Sequence, residues 1–158
     1  MVFVLPLNNK EKQMNLTLKI AFLALLSALF LSGCTTKTLE AKREASLKNT
    51  YWKAVEIKGE KVLVANNQQE AHIVLQEDGR IVGSDGCNRM FGTYAIKNET
   101  ITFSHLASTR MMCAEGMAQA DAFSMALGEV THFTLLEENL TFKNEKGDAV
   151  LAFVAVYL

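Results

Sequence analysis

Three cysteines and three histidines are the side chains of this 158-residue chain that could serve as nucleophiles, bases or metal ligands, and their spacing decides between those roles. His72, His105 and His132 are scattered over three segments, each reading as a strand position near the surface rather than a catalytic base. Cys113 with His105 is the best nucleophile–base pair available, and it requires a free thiol. No second Cys or His lies at ligand spacing from Cys87 or Cys113, so zinc lacks a site. The Gly-rich stretch at 83–92 would need a following Lys and helix to cradle phosphate, and Cys87-Asn88-Arg89 leads into more strand instead. The residues therefore predict no catalytic set, no metal and no cofactor.

Cys34 has a different setting. It ends Leu31-Ser32-Gly33-Cys34, after an uncharged run from Ile20 to Leu31 that follows Lys19. Roughly 12 residues at about 1.5 Å each reach about 18 Å, well short of the roughly 30 Å hydrocarbon core of a bilayer. A signal-peptide core fits better than a spanning helix. Ser32 and Gly33 are small enough to lie extended in a processing enzyme's groove, and the Cys34 thiol is the nucleophile a lipid transferase would modify. The pattern resembles the bacterial lipobox, which implies a diacylated and then N-acylated Cys34 as the first residue of the mature chain. Met1 to Leu7 is apolar and makes a poor start for such a signal, whereas Met14 to Lys19 is a short basic one, so Met14 is a candidate true start.

The expected organisation is 1–33 signal peptide, 34–48 lipidated cysteine and polar tether, and 49–158 one folded domain. The 49% hydrophobic content is inflated by the signal. A formal net charge of −1 gives no electrostatic case for nucleic acid or for an anionic membrane surface, so membrane attachment would come from lipid alone. With Cys34 assigned to lipid, Cys87 and Cys113 remain, and an exported compartment permits them to pair. The count favours one disulfide, closing a loop of about 26 residues for roughly 3–4 kcal/mol. Two unpaired buried thiols and a metal pair are the alternatives.

From Thr50 on, short β-type runs alternate with turn chemistry. Tyr51 to Ile57 comes first, with Trp52, Ala54 and Ile57 alternating only roughly. His72 to Gln76 and Ile81-Val82 flank Asp78-Gly79, a pair suited to a two-residue hairpin turn. Thr93 to Ile96 and Thr100 to Phe103 form a second hairpin, and His132 to Leu136, Leu140 to Phe142 and Ala149 to Tyr157 a meander. One segment has another period: Met117, Ala120, Phe123, Ala126, Leu127 and Val130 recur at three- and four-residue steps, which predicts a single amphipathic helix from near Glu115-Gly116 to near Gly128. Its stripe reads as a core face. The fold class is α+β, a strongly curved antiparallel sheet with one packed helix.

Gly83-Ser84-Asp85-Gly86-Cys87-Asn88-Arg89-Met90-Phe91-Gly92-Thr93-Tyr94 is the densest stretch of the domain, and its glycines with Asp85 and Asn88 describe a strand that bends and reverses. Together with Ser108-Thr109-Arg110-Met111-Met112-Cys113, it resembles the META domain, also called the HslJ-like domain. The resemblance runs from Trp52 through Asp78-Gly79, Phe123 and Leu127 to Leu151 and Phe153. It implies an antiparallel β half-barrel with a helix packed in it, similar to pilot lipoproteins of secretion systems, and pairing of Cys87 with Cys113. No enzymatic activity comes with it. Family members include a heat-inducible envelope protein linked to novobiocin tolerance, and others associated with secretion, motility or virulence.

The expected protein is thus an outer-membrane lipoprotein facing the periplasm, since resemblance to Gram-negative lipoproteins implies that Thr35, in place of Asp after the acylated cysteine, permits outer-membrane export. It would act as a non-enzymatic binding or structural module in envelope stress or antibiotic tolerance, its partners being the membrane through the lipid and an envelope protein. The expected contact surface is Asp85, Asn88, Arg89 and Arg110, although Arg110 also reads as an ion-pair partner of Glu115 at the helix start. The alternative is a carrier of lipid or hydrophobic peptide, which demands an acyl-sized void lined by Met117, Phe123 and Leu127.

Overall fold

The computed structural model describes residues 44–64 and 66–157. The signal, Cys34 and most of the tether expected at 34–48 lie outside the described residues. Among the described residues nine strands and one helix follow in the order β1 (Tyr51–Ile57), β2 (Glu60–Lys61), β3 (His72–Leu75), β4 (Arg80–Ser84), β5 (Arg89–Lys97), β6 (Thr100–Ser108), α1 (Met117–Gly128), β7 (His132–Leu136), β8 (Asn139–Lys143) and β9 (Ala149–Val156). All pairings are antiparallel, and each strand from β3 to β9 neighbours the next in sequence.

The curvature expected of the sheet goes further than a half-barrel, because β1 pairs with β9 from Tyr51↔Val156 to Ile57↔Leu151 and closes the sheet on itself. On its other edge β1 meets β3 through Trp52↔Ile73 and the short β2 through Ile57↔Glu60. The ring is weakest between β6 and β7, which share the single register pair Thr100↔His132. The rough alternation in β1 has a physical cause: a register shift between Ala54 and Glu56 brings Ile57, like Trp52 and Ala54, to the buried side.

Turn chemistry departs from expectation at one hairpin. Gln76 N donates to the Arg80 carbonyl at 2.8 Å and Gly79 N to the Gln76 carbonyl at 3.2 Å, so the loop is the three residues 77–79. Only Gly79 within it takes positive φ, at 83°, as in a turn followed by a left-handed residue, and Asp78 instead accepts from Arg80.

Inside the ring Trp52, Ile73, Leu75, Ile81, Ile101, Leu140, Phe142, Leu151 and Phe153 are fully buried. The stripe of α1 completes this core through Ala120, Phe123, Ala126 and Leu127. Edge-to-face contacts link Phe123 to Phe153, Phe153 to Phe142 and Phe142 to Phe103, with centroids 5.4–6.2 Å apart. The described chain is already packed at Ala45, inside the stretch expected to be tether. Ala45 is buried and donates to the Glu137 carbonyl, Trp52 Nε1 donates to the Leu47 carbonyl, and Lys48 pairs with Glu77 at 3.0 Å.

Candidate functional site

The bend after β4 is built by its own polar side chains. Asp85, 2% exposed, accepts from the backbone N–H of Cys87 at 2.8 Å and of Asn88 at 2.6 Å through Oδ1, and from Asn88 Nδ2 at 3.2 Å through Oδ2. Ser84 Oγ takes the Gly86 N–H, whose residue has φ 101°, a backbone conformation that favours glycine. Asp in this role satisfies amides that a tight turn would otherwise leave unpaired.

Asn88 then reaches across to the chain after β6. Its Oδ1 accepts the Met111 N–H at 2.8 Å and the Thr109 hydroxyl at 3.4 Å. The backbones of Arg89 and Thr109 also bond, with Thr109 N donating to the Arg89 carbonyl at 2.9 Å and Arg89 N to Thr109 Oγ1 at 3.1 Å. A disulfide between Cys87 and Cys113, S–S 2.03 Å and Cα–Cα 6.1 Å, fastens the two segments. Cys87 Sγ lies 3.6 Å from Met117 Sδ, so the staple rests on the first turn of α1.

The four residues expected on a contact surface therefore divide. Asp85 is buried, and both it and Asn88 hold the loop from within, because turn amides and the 109–111 segment use their polar atoms. Arg89 and Arg110 are exposed, and among the described residues neither guanidinium has a side-chain partner. The ion pair expected between Arg110 and Glu115 does not form. Met111 and Met112 stand beside them, 56% and 95% exposed, in the 108–112 loop that the sequence also places on the contact surface.

Beside the staple lies an open cleft of about 580 Å³, walled by residues 66–69 on one side and by Cys87 to Arg89 and Cys113 to Glu115 on the other. The Asn66-Asn67-Gln68-Gln69 run has no periodicity or motif, and nothing in its sequence marked it as part of a site. Only its position opposite the disulfide does so.

The histidines stay apart. His72 stacks on Tyr51 at 4.4 Å and its Nδ1 lies 2.9 Å from the Glu70 carbonyl, His105 sits at a β6 irregularity with φ 53°, and His132 begins β7. Cys113, which with His105 was the best nucleophile–base pair, is bonded to Cys87. The groups around His72 form an ion cluster on the sheet surface: Lys53 bonds Glu70 at 2.5 Å and holds its carboxyl below the usual range, and burial first, then Glu70, pushes Tyr51 up to about 12. Among the described residues no group of His, Cys, Asp and Glu could hold a metal.

The interior bears on the carrier alternative. Phe123 and Leu127, 0% and 1% exposed, are packed into the core where that reading requires them to line a void.

A closed antiparallel barrel with one helix in its core and two loops stapled by a disulfide at one end is the class of domain these features define. The chain belongs to the META domain family, whose model matches residues 45–157. An NMR structure of a protein from Burkholderia xenovorans is 24% identical with a TM-score of 0.59, over 71% of this chain and 85% of that one. A second protein solved by NMR is 24% identical with a TM-score of 0.55, over 70% and 95%. At that identity the likeness is one of fold. No curated protein matches the chain.

Proposed function

We propose that this META-domain protein is a lipid-anchored outer-membrane lipoprotein facing the periplasm, and that it serves as a non-enzymatic binding or structural module in envelope stress or antibiotic tolerance. The observation that carries this is the stapled loop pair, which presents Arg89, Arg110, Met111 and Met112 outward while Asp85, Asn88 and the disulfide hold their backbone fixed. Cations without an internal partner beside exposed thioethers, on a rigid support, suit recognition of another molecule.

Replacing Arg89 and Arg110 together by Ala should abolish stress tolerance while leaving the melting temperature within about 2 °C, since neither side chain bonds the fold and surface changes of this kind stay within about ±0.5 kcal/mol. Full tolerance in the double variant would remove this surface from the function. Anchoring has its own test. Cys34→Ser should leave an uncleaved or soluble precursor, and a substituted protein that still fractionates with washed outer membranes, with no acyl group on the parent cysteine by mass spectrometry, would refute the anchor.

A further inference from the structure

The cleft beside the disulfide sets the side-chain amides of residues 66–69 and Asn88 beside Arg89, Met111 and the disulfide itself, and its surroundings show how such amides work. Gln119 pairs with both backbone groups of Leu63, its Oε1 accepting the N–H at 2.8 Å and its Nε2 donating to the carbonyl at 2.8 Å. Gln68 Nε2 donates to the Glu115 carbonyl at 2.7 Å, and Asn88 accepts the Met111 N–H. Side-chain amides therefore read backbone three times within this end of the barrel. The amides of Asn66, Asn67 and Gln69 line the same cleft, are exposed, and have no partner among the described residues.

We propose that this cleft binds a short extended polar peptide segment, whose backbone pairs with the amides of Asn66, Asn67 and Gln69 and whose acidic side chain bonds the Arg89 guanidinium. Each carboxamide offers a donor and an acceptor that can serve the N–H and C=O of one extended residue, as Gln119 does for Leu63, and among the described residues lining the cleft Arg89 is the cation. Glu115 on the same wall places a negative charge there too, which suits a segment carrying an amine as well as an acid over a polyanion. Among the described residues no aromatic ring lines the cleft, so a sugar would find no face there to stack on. The walls are set before any ligand arrives, because the disulfide, the Asp85 turn and the Gln68 bond fix them. The proposal rests on the domain's being a binding module and names the chemistry of its partner.

The test uses full-length, isotope-labelled protein in detergent micelles and follows the side-chain amide NMR signals of Asn66, Asn67 and Gln69. The probe is a tetrapeptide blocked at both ends with one glutamate and one lysine, titrated into the millimolar range. Saturable shifts at these amides are expected, weakened about tenfold when the probe's glutamate becomes glutamine or when Arg89→Ala is used. Asn66→Ala combined with Gln69→Ala should weaken binding comparably without touching the core. The inference is overturned if the signals stay still, if a trimer of N-acetylglucosamine moves them and the peptide does not, or if Arg89→Ala binds as the parent does. Still signals with tolerance lost in the Arg89/Arg110 double variant would sink the peptide site alone, and shifting signals with tolerance kept would sink the functional reading alone.

Discussion

Replacing both Cys87 and Cys113 by Ser is expected to lower the stability of the domain by about 3.5 kcal/mol and its melting temperature by roughly 10–20 °C. The separation of 26 residues sets the first figure, through the entropy that the open chain regains when the cross-link is gone. That is a large share of the 5–15 kcal/mol typical of whole domains. The double substitution is preferable to a single one, which would leave a lone thiol to form mixed disulfides. The staple joins β5's entrance to the approach of α1, and without it only the bonds of Asn88 and Thr109 hold these segments together. Both arginines and both methionines of the proposed surface sit on those segments, so recognition should weaken along with stability. Thermal unfolding in the presence and absence of a reductant measures the effect on the parent. Both thiols alkylatable in the untreated native protein, or a loss under about 1 kcal/mol, would refute the staple.

The hairpins and the helix were legible because their signals are local. Asn98 takes the positive φ of a turn between β5 and β6 where Lys97-Asn98-Glu99 marks one, and the helix stripe buries Ala120, Phe123, Ala126 and Leu127 as its spacing requires. Closure of the sheet was not legible. The β1–β9 pairing joins Tyr51 to Val156, and no periodicity within either strand names its partner. The same limit applies to the site. Asp and Asn in a Gly-rich bend read as acceptors for nearby amides, as Asp85 is here; their type does not tell that such a residue is buried or which distant segment it meets. Asp85 is buried because Cys87 and Asn88 turn their amides onto it, and Asn88 meets a partner 23 positions away, at Met111. The docking of Ala45 against Glu137 is likewise long-range, in a stretch whose charged composition reads as tether. Conversely, the exposure of Arg89 and Arg110 is what their type favours, since a long cation is seldom fully buried.

Phe123→Ala should have an effect as large as loss of the disulfide, about 3–5 kcal/mol, and by a different mechanism. Phe123 is fully buried and lies edge-on to Phe153 at 6.2 Å, which links it through Phe142 to Phe103 on β6. Truncation removes that contact and leaves a void that the closed ring can fill only in part. Beyond the burial of Ala120, Ala126 and Leu127 and the bonds of Gln119 to Leu63, the helix has weak ends. Its N-cap is Gly116 without a side-chain bond, its first turn has no acid and its last turn no base, so twelve residues depend on burial and not on intrinsic helix stability. Because Met117 abuts Cys87, loosening α1 should also loosen the stapled loops, and the amides of residues 109–113 should exchange with solvent faster. Denaturant unfolding measures the stability, and a loss below about 1 kcal/mol would show that α1 is not a core element. The variant also separates the two binding classes. Benzene should bind the new void in Phe123→Ala and leave the parent untouched, because in the parent Phe123 and Leu127 fill that space, and a fatty acid should bind neither. If the parent protein takes up a fatty acid, the packed interior is not what the protein keeps in solution, and the carrier reading displaces recognition through the loops.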